Sequence, residues 1–286
     1  MKVINRPLEA EQYVYHYTRL ETAAKYILPS GTVRFSPIAY VNDPREAKTW
    51  EMITTVPGPA HMAPADWDRL SRFVSDALKA TAKLICLSLD RETIGTCSPV
   101  DTVLHRGFGK PSMWHHYADQ HRGVCLMFDR TKLAQAFQRQ IGHLGLVDRK
   151  VTYSDTGILP NLGSDPYHIN LMTATNNNDI RAIASEHFRK WLPQLFFQKL
   201  TDWSNETEYR WFVFGENADP ILVKFDDALE AIVVGDAVSS EDEEALLVEC
   251  VRHRAEIARL QWRNGYPTIS HPGQPYITHR HLLPSP

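Results

Sequence analysis

Residues 13–36 read Y-V-Y-H-Y-T-R-L-E-T-A-A-K-Y-I-L-P-S-G-T-V-R-F-S, and three local chemistries follow one another in them. Tyr13 to Thr18 is aromatic and β-branched, the composition of a strand. Leu20, Ala23, Ala24, Ile27 and Leu28 recur at helical spacing, with Thr18 as expected N-cap and Glu21 three residues later in a capping box. Pro29-Ser30-Gly31 stops that helix, and Thr32 to Phe35 returns to strand composition. A strand–helix–strand start of this kind predicts an α+β fold. It also sets His16 on a strand among aromatics, either as a site residue or as a strand histidine satisfied by a neighbour.

Outward from this stretch, the composition is that of a folded chain. Its 286 residues suffice for one elaborated domain over 1–286, with a core at about 13–238 and a C-terminal helix and tail at 239–286. Hydrophobic residues make up 43% and charged residues 23%, which excludes a disordered or fibrous chain. A formal net charge of −3 argues against broad electrostatic capture of nucleic acid but leaves room for a local basic groove. Cys86, Cys97, Cys125 and Cys250 are scattered, without a C-x-x-C pair or histidines at finger spacing, so neither a zinc finger nor a disulfide framework is expected. The N-terminal residues lack a signal-peptide run, and no window approaches the roughly 18 apolar residues of a membrane span, so a cytoplasmic protein with no membrane partner is expected.

The rest of the chain alternates helices and strands. Asn42-Asp43-Pro44 is turn chemistry, with Asn42 expected to bond its own backbone and a helix to begin at Glu46. Residues 56–64 read as a surface loop, 67–82 as an amphipathic helix, 83–89 as an interior strand and 91–109 as an exposed excursion. Helices are expected at 111–123, 131–141, 180–200 (kinked or restarted at Pro193) and 241–260, the first carrying Trp114, Tyr117 and His121 on one face. Strands are expected at 124–128, 146–153, 206–214, 221–225 and 231–234, with 157–178 as a loop and an irregular tail. Glu206 and Glu208, two apart in E-T-E, point to one face of the expected strand, either as a functional pair or as a solvated cluster with Arg210.

The stretches Y-H-Y-T, N-D-P-R-E, W-H-H-Y-A-D-Q-H-R-G and E-T-E-Y-R resemble those of a bacterial family of uncharacterised proteins over about Tyr13 to Val238. The order of a strand histidine, an aromatic hydroxyl after a middle strand, and E-x-E late in the chain resembles the His-Tyr-Glu arrangement of ADP-ribosyltransferases. This resemblance implies an ADP-ribosyltransferase-like split β-sheet core with helical insertions, and NAD as the substrate. It assigns His16 to the adenosine ribose, supported by Thr18, and Tyr117 or its rival Trp114 to stacking on nicotinamide. Tyr17, Ser36, Arg34 and Arg210 would complete the NAD contacts, the arginines on the pyrophosphate. Glu208 would stabilise the charge that develops as nicotinamide leaves, and Glu206 would activate the acceptor.

The implied acceptor is a macromolecule. A likeness to DarT-like enzymes, in the histidine strand, helix and I-L-x-x-G turn, tilts the choice towards RNA or DNA, in a toxin or phage-defence role with an antitoxin or inhibitor as partner. Two other readings stand beside it: a nuclease or other hydrolase using His16, His121 and Glu208, and a nucleotide-binding module without chemistry. His116 and His121, with Asp119 between them, are five apart, whereas converging helical metal ligands need a spacing of three or four, so no metal site is expected.

Overall fold

In chain order the strands are β1 (Tyr13–Thr18), β2 (Thr32–Pro37), β3 (Ile53–Thr55), β4 (Ala82–Ser88), β5 (Val124–Asp129), β6 (Val147–Lys150) and β7 (Thr152–Tyr153). They continue as β8 (His168–Asn170), β9 (Gln198–Lys199), β10 (Glu208–Phe214), β11 (Ile221–Lys224), β12 (Leu229–Val234), β13 (Glu256–Arg263) and β14 (Tyr266–Ser270). The computed structural model describes residue 4 and residues 11–55, 64–91, 103–155, 166–173 and 177–271. The fold is α+β. Ten strands form a mixed sheet in the order β11-β2-β4-β1-β5-β12-β13-β14, with β10 paired to β4 and β6. The apolar runs in β4, β5 and β12 are nearly all buried, as strands covered on both faces must be.

The pairing of β4 decides where a site can form. Along one edge it pairs with β10 over its whole length, from Glu208↔Ser88 to Phe214↔Ala82. Along the other it meets β2 at Ser36↔Leu84 and Pro37↔Lys83, and β1 only at Tyr15↔Ser88. Between those two contacts the backbone of Cys86, whose neighbours Ile85 and Leu87 turn towards β10, faces an opening between β1 and β2. The sheet is split at this point, and backbone polar groups on that edge are left to side chains or ligands.

The packing on the two faces reflects the split. One core runs unbroken beneath it, joining Val14, Phe35, Ile85, Leu87, Leu126 and Trp211 to apolar residues of the 20–30 segment and of the Arg130–Ile141 and Ser240–His253 helices. The opposite face carries two separate cores. Leu84 and Phe212 pack with the Pro64–Thr81, Asn177–Lys190 and Leu192–Phe196 helices, whereas Tyr13, Tyr15 and Tyr17 pack with Phe108, Met113 and Trp114. The opening lies between these two cores. Among the described residues, no helix is long and apolar enough to cross a membrane.

Several boundaries differ from those expected, each for a local reason. Thr18 ends β1, and Arg19 takes the N-cap position without a side-chain cap bond, so the expected capping box does not form. The helix that follows is α over Leu20–Thr22, π over Ala23–Ile27 and α over Leu28–Ser30, and closes at Gly31 with φ +64°. In the turn after β2, Asp43 rather than Asn42 makes the cap, accepting from the Arg45 N–H at 2.9 Å. The helix at 111 ends at Tyr117, because Asp119, Gln120 and His121 all adopt positive φ. Pro193 restarts the helix after Trp191, and the chain then forms β9 instead of continuing helical to residue 200. The last helix stops at His253, where Arg254 turns left-handed, and residues 256–263 become a strand parallel to β12. The loop expected at 56–64 lies outside the described residues up to 63, as do residues 92–102, Cys97 among them, and residues 156–165, 174–176 and 272–286.

Candidate active site

The split opens into a cleft lined by β1, β2, β4, the 40–42 turn, the Pro111–Tyr117 helix and the Lys199–Glu208 segment. His16 reaches it from β1, and Arg34 and Ser36, two apart and so on one face, reach it from β2. His16 is half-buried and its ring hydrogen-bonds to the Cys86 backbone, filling part of the unpaired β4 edge. Burial lowers its pKa, the bond to Cys86 opposes that, and the Arg34 charge adds to the lowering, so the ring is neutral at pH 7. Arg34 is exposed and, among the described residues, pairs with no carboxylate.

Two glutamates form the opposite wall, and the expected strand holds only one of them. Glu206 ends the Thr201–Glu206 3-10 helix, Thr207 sits at φ +46°, and Glu208 opens β10. The backbone of this turn is fixed group by group. Ser88 Oγ and Lys110 Nζ donate to the Glu206 carbonyl at 2.7 and 2.6 Å, the Leu89 N–H donates to the Thr207 carbonyl at 2.9 Å, and the Glu208 N–H donates to the Tyr153 hydroxyl at 2.8 Å. Burial, with the Arg91 charge adding, pushes the Lys110 ammonium down to about 7.

The carboxylates lie in an ionic network that is buried, not solvated. Glu46, Glu206, Glu208, Lys199 and Arg210 are each at most 7% exposed. Arg210 donates from Nε and Nη2 to Glu208, binds both oxygens of Glu46, and reaches the Phe196 carbonyl at 2.6 Å. Lys199 Nζ bridges Glu206 Oε2 at 2.7 Å and Glu208 Oε2 at 2.8 Å. Burial by itself would raise the pKa of Glu208, but the Arg210 and Lys199 charges outweigh it and hold the group at about 2. Glu208 is therefore ionised throughout the physiological range.

Tyr117 closes the network from the third side. Its hydroxyl donates to Glu206 Oε1 and accepts from the Asn42 amide, both at 2.5 Å. Burial and the Glu206 charge push its pKa up, which keeps it a donor. Tyr117→Phe keeps the ring and removes both bonds. It is expected to cost about 1.5–3 kcal/mol in chemical denaturation. An unchanged unfolding midpoint would show that the bonds add nothing.

Of the ten residues singled out in the sequence, His16, Tyr17, Arg34, Ser36, Tyr117, Glu206 and Glu208 line this one cleft. Trp114, Thr18 and Arg210 do not. Trp114 is fully buried, with Nε1 donating to the Phe108 carbonyl at 2.7 Å and its ring edge-on to Tyr17, so Tyr117 is the one of the two rivals that faces the cleft. Arg210 is enclosed behind Glu208 by protein acceptors and is not available to a pyrophosphate. Thr18 is buried at the end of β1, opposite Val124. His121 stacks on Trp114 and lines a separate recess with Asp236 and Trp262. Among the described residues, no three His, Cys, Asp or Glu side chains group as metal ligands.

Residues 113–211 match the family model described as "Protein of unknown function (DUF2971)". No curated protein and no solved structure matches the chain. The matched span is narrower than the Tyr13–Val238 reach of the sequence motifs. It contains Tyr117, Lys199, Glu206, Glu208 and Arg210, whereas His16, Arg34, Asn42, Glu46 and β4 lie before it.

Sequence reasoning missed Lys199, Lys110, Glu46 and the role of Asn42. Glu46 and Asn42 stood in the N-D-P-R-E stretch, where turn chemistry explained them without a distant partner. Lys199 and Lys110 carried no signal, since a lone lysine reads as solvated unless its carboxylate partners are known.

Proposed function

We propose that the chain is an NAD-dependent ADP-ribosyltransferase acting on a macromolecule, with RNA or DNA favoured over protein. The observation that carries this reading is the convergence of His16, Tyr117 and Glu208 on one cleft at the split of the sheet. The lining suits a dinucleotide. Arg34 offers an uncompensated cation for a pyrophosphate, His16 and Ser36 offer short polar groups for a ribose, and Tyr117 offers an aromatic ring. A fixed anion stands at the far end.

On this reading each residue has a defined task. Glu208, buried and ionised, presents a negative charge where the ribosyl carbon becomes positive as its bond to nicotinamide breaks. Glu206, on the adjacent turn, takes the acceptor's proton as the bond from acceptor to ribosyl carbon forms. Tyr117 holds Glu206 through its hydroxyl and places its ring beside the leaving base. The acidic net charge is not an obstacle to a nucleic-acid acceptor. Glu241, Asp242, Glu243, Glu244 and Glu249 cluster on the Ser240–His253 helix, which packs on the face carrying Leu87 and Trp211, away from Glu208. A toxin or phage-defence role and an antitoxin partner belong to this proposal and rest on the resemblance alone, and cytoplasmic placement belongs to it on the ground of the scattered cysteines, which suit a reducing compartment.

The hydrolase reading loses its third residue, because His121 lines another recess. The test is nicotinamide release from NAD by the purified protein, alone and with total RNA, DNA or cell lysate. Release that depends on one acceptor class supports the transferase and names its substrate. Binding of NAD without release under any condition would favour the non-catalytic module.

A further inference from the structure

Two carboxylates buried side by side repel each other, and a cation between them offsets that repulsion. We propose that Lys199 is the positioning residue that holds the Glu206 and Glu208 carboxylates together in the cleft, and that its removal changes the charge state of Glu208 as well as the shape of the site. The effect on turnover rests on the transferase reading. The effect on the carboxylates does not.

The geometry is specific. One ammonium group contacts Oε2 of each glutamate, at 2.7 and 2.8 Å, from a side chain 3% exposed. Its backbone is fixed by pairing in β9, opposite Tyr153, and by the Ser154 N–H donating to its carbonyl at 2.9 Å. Its Nζ lies 5.1 Å from the centre of the Trp203 ring. The other charged or titratable groups around it do not duplicate this role. Arg210 is shared between Glu208 and Glu46, Lys110 reaches only the backbone carbonyl of Glu206, and Cys86, Tyr117 and Tyr153 are neutral. Among the described residues, Lys199 is the only cation bonded to the Glu206 carboxylate.

The arrangement also explains how the turn can place a glutamate on either side of Thr207 and bring both to one cleft. Thr207 reverses the chain at positive φ, the side chains re-converge, and the ammonium occupies the point where they meet. A fork-shaped guanidinium at this position keeps the charge but not the single-point geometry, so Lys199→Arg should restore the charge state and only part of the turnover.

The experiment follows carboxyl titration by NMR in the full chain labelled with 13C-glutamate, for the unaltered protein, Lys199→Met and Lys199→Arg, beside the pH profile of nicotinamide release. In the unaltered protein Glu208 should remain ionised down to about pH 4. In Lys199→Met its titration should move up by about one pH unit or more, with the acid limb of release moving in parallel, and Lys199→Arg should bring both back. A Lys199→Met protein that titrates like the unaltered one, or keeps its pH profile at lower activity, overturns the proposal. If that variant does not fold, Glu208 of the unaltered protein titrating near neutral pH overturns it as well. Should the unaltered protein release no nicotinamide with any acceptor, the transferase reading falls, and the carboxyl titrations alone decide the part played by Lys199.

Discussion

Arg210→Met is expected to destabilise the protein by about 3–5 kcal/mol, seen as a fall of about 10 °C in Tm near pH 7.5. Methionine fills much of the same volume, so the loss is electrostatic. Glu46 and Glu208, both buried, lose the guanidinium that binds each of them twice, and the Phe196 carbonyl loses its donor. The sign of the pH dependence is a second check. In the unaltered protein Glu208 is depressed to about 2, so its contribution is present above the unfolded value of about 4.3 and lost as pH falls through 2. Glu46 is already raised by burial against the opposing Arg210 charge and rises further without it, while Glu208 keeps only Lys199 against burial and moves up from its depressed value. The protonated form of Glu46 then favours folding, and stability falls as pH rises through its new pKa. The gap between the two proteins should therefore widen from pH 5 to pH 8. A variant with unchanged Tm at pH 7.5 would mean that the network contributes nothing net.

Glu208→Gln is expected to reduce nicotinamide release by about two to three orders of magnitude, with a much smaller change in KM for NAD. The amide is nearly isosteric and can still accept from Arg210 and Lys199, so the cleft keeps its outline. On the proposed function, what it loses is the full negative charge at the point where positive charge develops in the substrate. A neutral residue beside two buried cations also weakens folding, so the comparison belongs at a temperature where both proteins are folded, verified by circular dichroism. If the variant retains more than about a tenth of the activity, Glu208 does not have the assigned role, and Glu206 is the next residue to test.

The parts of this arrangement that could be read from the sequence were those in which neighbouring residues determine the outcome. Tyr13 to Phe35 declared itself strand–helix–strand through composition and a Pro-Ser-Gly stop, and His16, Tyr117 and Glu208 stood out beside short specific stretches. The rest depends on contacts between distant segments. Residues 256–263 follow directly on a helical pattern, and only the left-handed turn at Arg254 and the parallel alignment with β12 make them a strand. Trp114 and Tyr117 share a helical face by spacing, yet Trp114 is spent on the core and Tyr117 on the cleft, a division set by what packs against each. Lys199 and Arg210 look like surface cations until Glu46, far upstream in the chain, is brought beside them.

The way β4 is shared has a consequence for how and when the site comes into being. One wall of the cleft comes from β1, β2 and β4, and the other is zipped onto β4 by β10, more than a hundred residues later. Pairings across such long loops close slowly, because chain entropy must be surrendered before the contact rewards it. A growing polypeptide on the ribosome has His16 and the open edge of β4 long before it has either glutamate, and the acidic half cannot be anchored until β10 emerges and docks. The cleft is therefore completed late, at the closure of the sheet, and a chain that lacks β10 has only one of its walls.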